Sequence, residues 1–314
     1  MDDQKAEDIV RNLIGAPDLD IKVTDWSLWT VNDVYARENM VGRVLCVGDA
    51  VHRHPPGNGL GSNTSIQDSY NLAWKLAMIL KGQAGEGLAA TYNDERVPVG
   101  RQIVRRANQS IADFDHVLDA LGIDPADDDA TMRAAMDRRK EASAEGERRR
   151  QALRDALELK NYEFNALGVE FGQRYESAAV VSDGTDWPVQ ESDPQLHYQP
   201  TTHPGARLPH AWLSGANPSA PRISTLDICG QGRFTVLTGT NGAAWVEAAE
   251  KVAAELGIEL PAVHLGLHAL VDDALVGGVH VHQDQAPLAL GEDVDPVVGG
   301  AHLVERVAEG VLQS

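Results

Sequence analysis

The sequence is poor in cysteine, and it contains no long apolar run. Its 314 residues include only two cysteines, Cys46 and Cys229, which are far apart in short apolar segments and favour buried thiols over a disulfide or a metal site. No run approaches the roughly 18–20 apolar residues of a membrane-spanning helix, and the first residues do not resemble a signal peptide. We therefore expect a cytoplasmic protein that does not enter a membrane.

Positive charge is also scarce. The chain has 27 Lys and Arg residues against 47 Asp and Glu residues, a formal net charge of −20. This excess of acid disfavours binding to nucleic acid or to an anionic membrane surface. The basic cluster Arg148–Arg150 is flanked by Glu145, Glu147 and Asp155, so it predicts a solvated helix rather than a nucleic-acid site.

Three motifs that would carry cofactor chemistry are missing. The histidines His197, His203 and His210 alternate with prolines and lack the spacing of a known metal site, so no metal is predicted. No GxGxxG fingerprint follows a strand, because the nearest candidate, Gly57–Gly61, belongs to a different pattern. Without a Cys-x-x-Cys pair, thiol redox chemistry is not expected either.

The most informative stretch begins with an apolar run and a lone acid. Val44–Val47 predicts a strand buried on both faces, and Gly48 ends it just before Asp49. Asp49 is thus predicted at the carboxyl end of a strand. One interpretation is that it caps the strand end, and the other is that its carboxylate accepts hydrogen bonds from ligand hydroxyls.

A glycine-rich turn and a helix follow. Pro55 and Pro56 stiffen the chain, the glycines after them leave backbone amides uncovered, and Ser62–Ser65 is predicted to cap a helix. Exposed amides at a helix N-terminus attract an anion or an electron-rich carbonyl. Apolar residues at helical spacing predict that this helix is held in a core; they are Ile66, Tyr70, Ala73, Trp74, Ala77, Met78 and Ile79.

Residues 48–77, GDAVHRHPPGNGLGSNTSIQDSYNLAWKLA, closely resemble the second FAD-binding motif of the class A FAD-dependent aromatic monooxygenases, which include phenol and chlorophenol hydroxylases. The resemblance implies that Asp49 binds the ribityl chain and that residues 56–61 run along the flavin. It also implies that the amides of Ser62 and Asn63 face the pyrimidine end of the isoalloxazine. The implied cofactor-binding residues are Asp49, Pro56, Gly59, Leu60, Gly61, Ser62 and Asn63. No catalytic residue is assigned, and only the Pro55–Pro56 turn is implied as a wall of the ring site.

The resemblance also implies a function. A family member would hydroxylate a small phenolic substrate with FAD as cofactor and NADPH as co-substrate, and O2 would react at the flavin to form a C4a-hydroperoxide. The family's ADP-binding fingerprint lies upstream of this motif, so the chain is expected to be the carboxyl-terminal half of such an enzyme. The partners implied are the phenol and a second copy in a homodimer, or a missing amino-terminal half. The alternative is an inactive remnant or the assembly partner of a split monooxygenase.

The expected fold class is α/β, in three regions. Residues 1–42 would end the substrate-binding region, and residues 43–187 would form the carboxyl-terminal part of an FAD-binding domain (glutathione-reductase-like, PHBH-like) with a helical excursion. Residues 188–314 would form a proline-rich connector and a thioredoxin-like α/β domain without Cys-x-x-Cys.

Local patterns give further expectations. Pro98 should bend or restart its helix, and Glu95 and Arg96 should form structural ion pairs. Helices are predicted at Ala6–Ile14 and Ala243–Leu256, and strands at Ile21–Val31, Ser224–Cys229, Arg233–Thr238 and Ala262–Leu265.

Overall fold

The computed structural model describes residues 2–214, 221–230, 232–265 and 280–281, and the chain divides into two compact units, 1–32 and 33–314. In the first unit, helix α1 (Asp3–Ile14) begins where the Asp2 carboxylate accepts a hydrogen bond from the Lys5 amide, at 2.9 Å. The helix predicted here is confirmed. The strand predicted at Ile21–Val31 is wrong, because residues 21–31 pair with no strand.

The second unit holds the remaining elements. Its helices are α2 (Leu60–Leu80), α3 (Gly87–Leu121), α4 (Asp129–Arg138), α5 (Ala144–Glu158), α6 (Asn161–Phe164), α7 (Leu167–Phe171), α8 (Thr225–Ile228) and α9 (Ala243–Leu256). Its strands are β1 (Val34–Tyr35), β2 (Met40–Val41), β3 (Val44–Leu45), β4 (His52–Arg53), β5 (Trp212–Ser214), β6 (Ile223–Ser224), β7 (Val236–Thr238), β8 (Ala262–His264) and β9 (His280–Val281). Among the described residues, no helix is both long and apolar enough to cross a bilayer.

The strand before the glycine-rich turn is shorter and more exposed than its apolar composition predicts. Only Val44–Leu45 forms a strand, which pairs antiparallel with Met40–Val41, and Val44 is 69% exposed. Burial on both faces is therefore wrong for this strand. Within the described residues, its sheet has two strands, so no further strand in that part of the chain pairs with its second edge.

Helices α2 and α3 pack against each other through buried charge. The buried residues of α2 beyond its first turn are mostly polar; they are Thr64, Asp68, Asn71, Leu72 and Lys75. Two ion pairs cross the interface, Asp68–Arg96 at 2.7 Å and Lys75–Glu95 at 2.6 Å. The ion pairs expected for Glu95 and Arg96 are thus present. The predicted apolar core face of α2 is wrong, since Ile66 is 67% exposed and Tyr70 is 62% exposed.

Helix α3 runs without a break for 35 residues through Pro98. A restart at Pro98 is therefore wrong. Proline removes one backbone hydrogen bond and crowds the carbonyl four residues earlier. Burial of the residues that follow it compensates, since Val99 and Ile103 join Leu60, Ala166 and Val169 in an apolar core of this unit.

Further helices and then a segment without regular secondary structure follow α3. Helices α4 and α5 form the excursion, and Arg148, Arg149 and Arg150 pair with Glu145 and Glu147 on the same helix. After α7, no helix or strand occurs until Trp212, as expected for a proline-rich connector. Gly168 and Val169 in α7 donate backbone hydrogen bonds to Gln195 of this connector, at 3.1 and 3.3 Å.

The last described elements form a small α/β unit. Strands β7 and β8 pair in parallel and are joined by α9, a βαβ arrangement. The strand predicted at Ser224–Cys229 is wrong beyond Ser224, because a capping box between Ser224 and Asp227 starts helix α8 there. Neither cysteine lies in a strand, and burial raises the pKa of the Cys229 thiol. Most of residues 266–314 lies outside the described part of the chain.

The buried Lys75–Glu95 pair generates a stability prediction. Glu95→Gln removes the carboxylate and leaves the Lys75 ammonium, whose side chain is 0% exposed, without a counter-ion. Losing one partner of a buried pair costs roughly 3–5 kcal/mol. We expect the urea midpoint to fall accordingly with an unchanged m-value. The control Glu145→Gln, in an exposed pair on α5, should leave the midpoint nearly unchanged, and equal effects of the two variants would contradict the analysis.

Candidate functional site

A tight turn after β3 presents the first candidate residue. Gly48–Ala50 forms one turn of 3-10 helix, and Gly48 is buried with a φ of 60°. A side chain at this position would clash, since an added Cβ would lie 2.8 Å from the Ser65 Oγ of α2. Glycine therefore allows the turn to pack directly onto α2.

Asp49 is exposed in this turn, as is Ala50. Its backbone carbonyl accepts a hydrogen bond from Arg53 Nε at 3.0 Å. Its carboxylate has no hydrogen-bond or ion-pair partner within the described residues. A carboxylate that meets no side chain of its own protein in this region is available to a ligand.

The glycine-rich turn leads into α2 two residues earlier than predicted. Gly57–Gly59 forms a second 3-10 turn, and α2 begins at Leu60 after Gly59, which has a φ of 62°. The predicted cap at Ser62–Ser65 is wrong, because these residues lie inside the helix. The side chains of Asn63 and Ser65 donate to the carbonyls of Gly59 and Gly61, at 2.7 and 2.9 Å.

No side chain caps the N-terminus of α2. The first amides of a helix lack intrahelical acceptors, and the helix dipole adds partial positive charge there. An added Cβ at Gly59 would meet nothing within 4 Å. The first turn of α2 is therefore open and polar, and it favours an anion or a carbonyl oxygen.

The Asp49 turn and this helix N-terminus are neighbours. Gly48 packs on Ser65, which lies four residues after Gly61, about 6 Å along the axis at the usual helical rise. The structure thus places Asp49 next to the other predicted residues, which lie within residues 56–63 at the start of α2.

His54 flanks the same helix terminus and was not among the predicted residues. Its Nδ1 lies 2.7 Å from the Pro55 carbonyl. Because a carbonyl only accepts, Nδ1 carries the proton in this bond. The ring also borders Gly61, where an added Cβ would lie 3.6 Å from His54 Cε1.

Asp68 lies beneath the turn and is almost fully buried. Its carboxylate accepts hydrogen bonds from the Gly48 amide at 3.2 Å, His52 Nε2 at 3.0 Å and Arg96 Nε at 2.7 Å. Burial alone would raise the pKa of this carboxyl, but the hydrogen bond from His52 and the charge of Arg96 hold the pKa below its ordinary value. Asp68 therefore links the turn to both α2 and α3 as a carboxylate.

A periodic signal for this network was present in the sequence. Thr64, Asp68, Asn71 and Lys75 follow one another at intervals of four, three and four residues, which places them on one face of a helix. Apolar residues are the usual guide to a buried face, and they predicted a core face through Ile66 and Tyr70 instead.

Other depressions lie away from these residues. One of about 800 Å³ lies beside the end of α3 and includes Phe114 and Phe164. Another of about 610 Å³ is lined partly by Trp187 and His203, whose rings stack at 4.1 Å. Among the residues described, no group of three or more His, Cys, Asp or Glu side chains could hold a metal ion.

Two protein families match the sequence. The family described as FAD binding domain matches residues 1–107, and the family described as aromatic-ring hydroxylase, C-terminal, matches residues 201–283. The first match includes the Asp49 turn and all of α2. The second begins in the connector and continues into the small α/β unit.

Characterised proteins of similar sequence carry consistent names. The chain is 52% identical over 273 residues to a phenol 2-monooxygenase of Pseudomonas sp.. This match covers 87% of this chain and 44% of that protein. It is 49% identical over 265 residues to a 2,4-dichlorophenol 6-monooxygenase of Delftia acidovorans, covering 84% and 44% respectively. The chain thus spans less than half the length of these relatives.

Solved structures agree with the fold. The flavin-dependent monooxygenase PieE, determined in complex with FAD and substrate, superposes with a TM-score of 0.79 at 44% identity. That match covers 89% of this chain and 46% of PieE. A ternary complex of aklavinone-11 hydroxylase with FAD and aklavinone gives a TM-score of 0.65 at 26% identity, covering 99% and 51%. The predicted α/β fold class is confirmed.

The packing of the turn generates a second prediction. Gly42→Ala and Gly48→Ala both place a side chain at positive φ, at 57° and 60°, which costs about 1–2 kcal/mol each. Only at Gly48 does the new Cβ also meet Ser65 Oγ. We expect Gly48→Ala to lower the free energy of unfolding clearly more than Gly42→Ala, as measured in urea.

A second substitution separates the two causes. Ser65→Gly in the Gly48→Ala background removes the side chain that the new Cβ meets, so the urea midpoint should recover part of its loss. Equal destabilisation by the two alanine variants would show that Gly48 does not pack on Ser65.

Proposed function

We propose that this chain, which belongs to the family of FAD-dependent aromatic-ring hydroxylases, provides the flavin-binding surface of a monooxygenase that hydroxylates phenols with NADPH and O2. The observation that carries the proposal is the juxtaposition of the unpartnered Asp49 carboxylate with the uncapped N-terminus of α2. The names of the relatives support a phenol as the class of substrate.

The residues present fit a flavin. A ribityl chain offers hydroxyl donors, and the Asp49 carboxylate is an exposed acceptor. The isoalloxazine offers carbonyl oxygens and a ring nitrogen at its pyrimidine end, and the open first turn of α2 offers amide donors. At Gly59 an added Cβ would meet nothing within 4 Å, so the absence of a side chain there lets a flat ring approach the backbone closely.

Each group has a separate task. Asp49 would hold the ribityl chain, while the amides of Ser62 and Asn63 would orient the ring edge and favour negative charge there. Pro56, Gly59, Leu60 and Gly61 would line the ring, and Pro56, which is exposed whereas Pro55 is fully buried, would form a wall of the substrate site. Bound FAD would supply the chemistry that activates O2. The chain's own residues would bind the flavin, orient it and exclude water from the site.

This arrangement predicts which part of the cofactor the chain recognises. The sequence has no GxGxxG after a strand to hold an ADP moiety, so the contacts should be confined to the isoalloxazine and ribityl groups. We expect binding to this chain to quench the fluorescence of riboflavin, FMN and FAD, and titrations to give similar, weak affinities for all three. We also expect FAD to be lost from the protein during gel filtration. Asp49→Ala should weaken all three by about ten- to a hundredfold, because it removes charge-assisted hydrogen bonds.

The matched control is Asp137→Ala, which removes an exposed carboxylate from α4. It should leave flavin affinity unchanged. The absence of saturable quenching by any of the three flavins would contradict the flavin function, and equal affinities of the Asp49→Ala variant and the parent would contradict the role of Asp49.

The activity itself is tested in a chimera. This chain would replace the matching segment of the Pseudomonas phenol 2-monooxygenase, with which it is 52% identical. We expect the chimera to retain FAD and to couple NADPH oxidation to formation of a catechol, as followed by absorbance and by chromatography of the product. A chimera that holds FAD and oxidises NADPH but hydroxylates none of a panel of phenols would contradict a phenol as substrate.

A further inference from the structure

We propose that Asp68 is a positioning residue that fixes the Gly48–Ala50 turn and thereby aims the Asp49 carboxylate at the flavin. The inference rests on the proposed flavin function and adds to it a residue that does not touch the ligand. Asp68 is 1% exposed and lies on the buried face of α2.

One oxygen of Asp68 holds both ends of the segment that carries Asp49. Oδ2 accepts from the Gly48 amide at 3.2 Å and from His52 Nε2 at 3.0 Å. Gly48 and His52 are four residues apart, with Asp49 between them. The segment is therefore fastened on each side of the proposed ligand-binding carboxylate, which limits how far that carboxylate can turn.

The other oxygen fastens Asp68 itself. Oδ1 accepts from Arg96 Nε at 2.7 Å, and the Arg96 side chain is fully buried. Arg96 Nη1 donates further to Gln173 and to the Tyr175 hydroxyl, both at 2.9 Å. An ion pair between α2 and α3 would need only this oxygen, so the two bonds to the turn are beyond what helix packing requires.

His52 supports the same interpretation. Its Nε2 faces a carboxylate, so Nε2 carries the proton of this bond. Its Nδ1 is buried and has no partner within the described residues. A buried nitrogen without a hydrogen-bond partner costs free energy, and an apolar ring at this position would avoid that cost. An apolar ring could not, however, make the hydrogen bond to Asp68, which is what histidine contributes here.

The test compares flavin affinity with the order of the turn in the full chain. Asp68→Asn should increase amide hydrogen exchange in residues 47–51 and weaken riboflavin binding about tenfold. In combination with Asp49→Ala it should add less than twofold to the loss, because Asp68 acts through Asp49. The matched control is Glu95→Gln, which disrupts a buried pair between the same helices without touching the turn and should leave riboflavin affinity within twofold of the parent.

His52→Phe serves if Asp68→Asn does not fold, since it keeps a ring and removes the unpartnered nitrogen. It should increase exchange in residues 47–51 and weaken riboflavin three- to tenfold. Unchanged affinity in the folded variants, or fully additive losses with Asp49→Ala, would overturn the positioning role. A parent chain that binds no flavin would overturn the proposed function, and the positioning role with it.

Discussion

The buried ion pairs between α2 and α3 are the interaction on which the rest of the structure depends. Asp68–Arg96 and Lys75–Glu95 add to the apolar contact that Leu60 of α2 makes with Val99 and Ile103 of α3. Burying a charge is costly unless it is paired and hydrogen-bonded, so this interface tolerates few alternative alignments. Of the two pairs, Asp68–Arg96 is the one that also connects the helices to the Asp49 turn, because Asp68 accepts a hydrogen bond from the Gly48 amide.

The same interface reaches beyond the two helices. Arg96 binds Gln173 and Tyr175, and the Glu95 carboxylate accepts from Ser177 at 2.7 Å. These residues belong to the irregular segment after α7, which has no secondary structure of its own to hold it. Polar contacts to α3 therefore define the path of this segment, and they join it to the elements that present the site.

The sequence predicted the glycine-rich turn better than it predicted the helix that follows the turn. The glycines and the lone Asp49 identified the turn, because a turn's backbone conformation and an exposed acid can both be recognised from the residues of the segment itself. The start of α2 was placed late, because Ser62 and Ser65 are good capping residues in general, whereas here Gly59 ends the preceding turn at positive φ. That choice depends on packing along the whole loop.

The buried face of α2 could not be inferred from apolar periodicity. Ile66 and Tyr70 have the right spacing for a core helix, yet the buried positions carry Asp68 and Lys75, whose partners on α3 lie 28 and 20 residues later. The spacing of the polar residues shows that they share one face of α2, but it does not identify partners so far along the chain. Pro98 misled for a related reason, since tertiary burial outweighed its local effect on α3.

The buried charges also bear on how the protein responds to its medium. The charged residues that are buried in the described part of the chain are Asp68, Lys75, Glu95, Arg96, Arg106 and Asp113, three acids and three bases that cancel. The net charge of −20 therefore resides on the other residues of the chain. Dissolved ions screen exposed charges far more than buried pairs. Raising the ionic strength should thus relieve mutual repulsion at the periphery while leaving the framework around Asp68 intact.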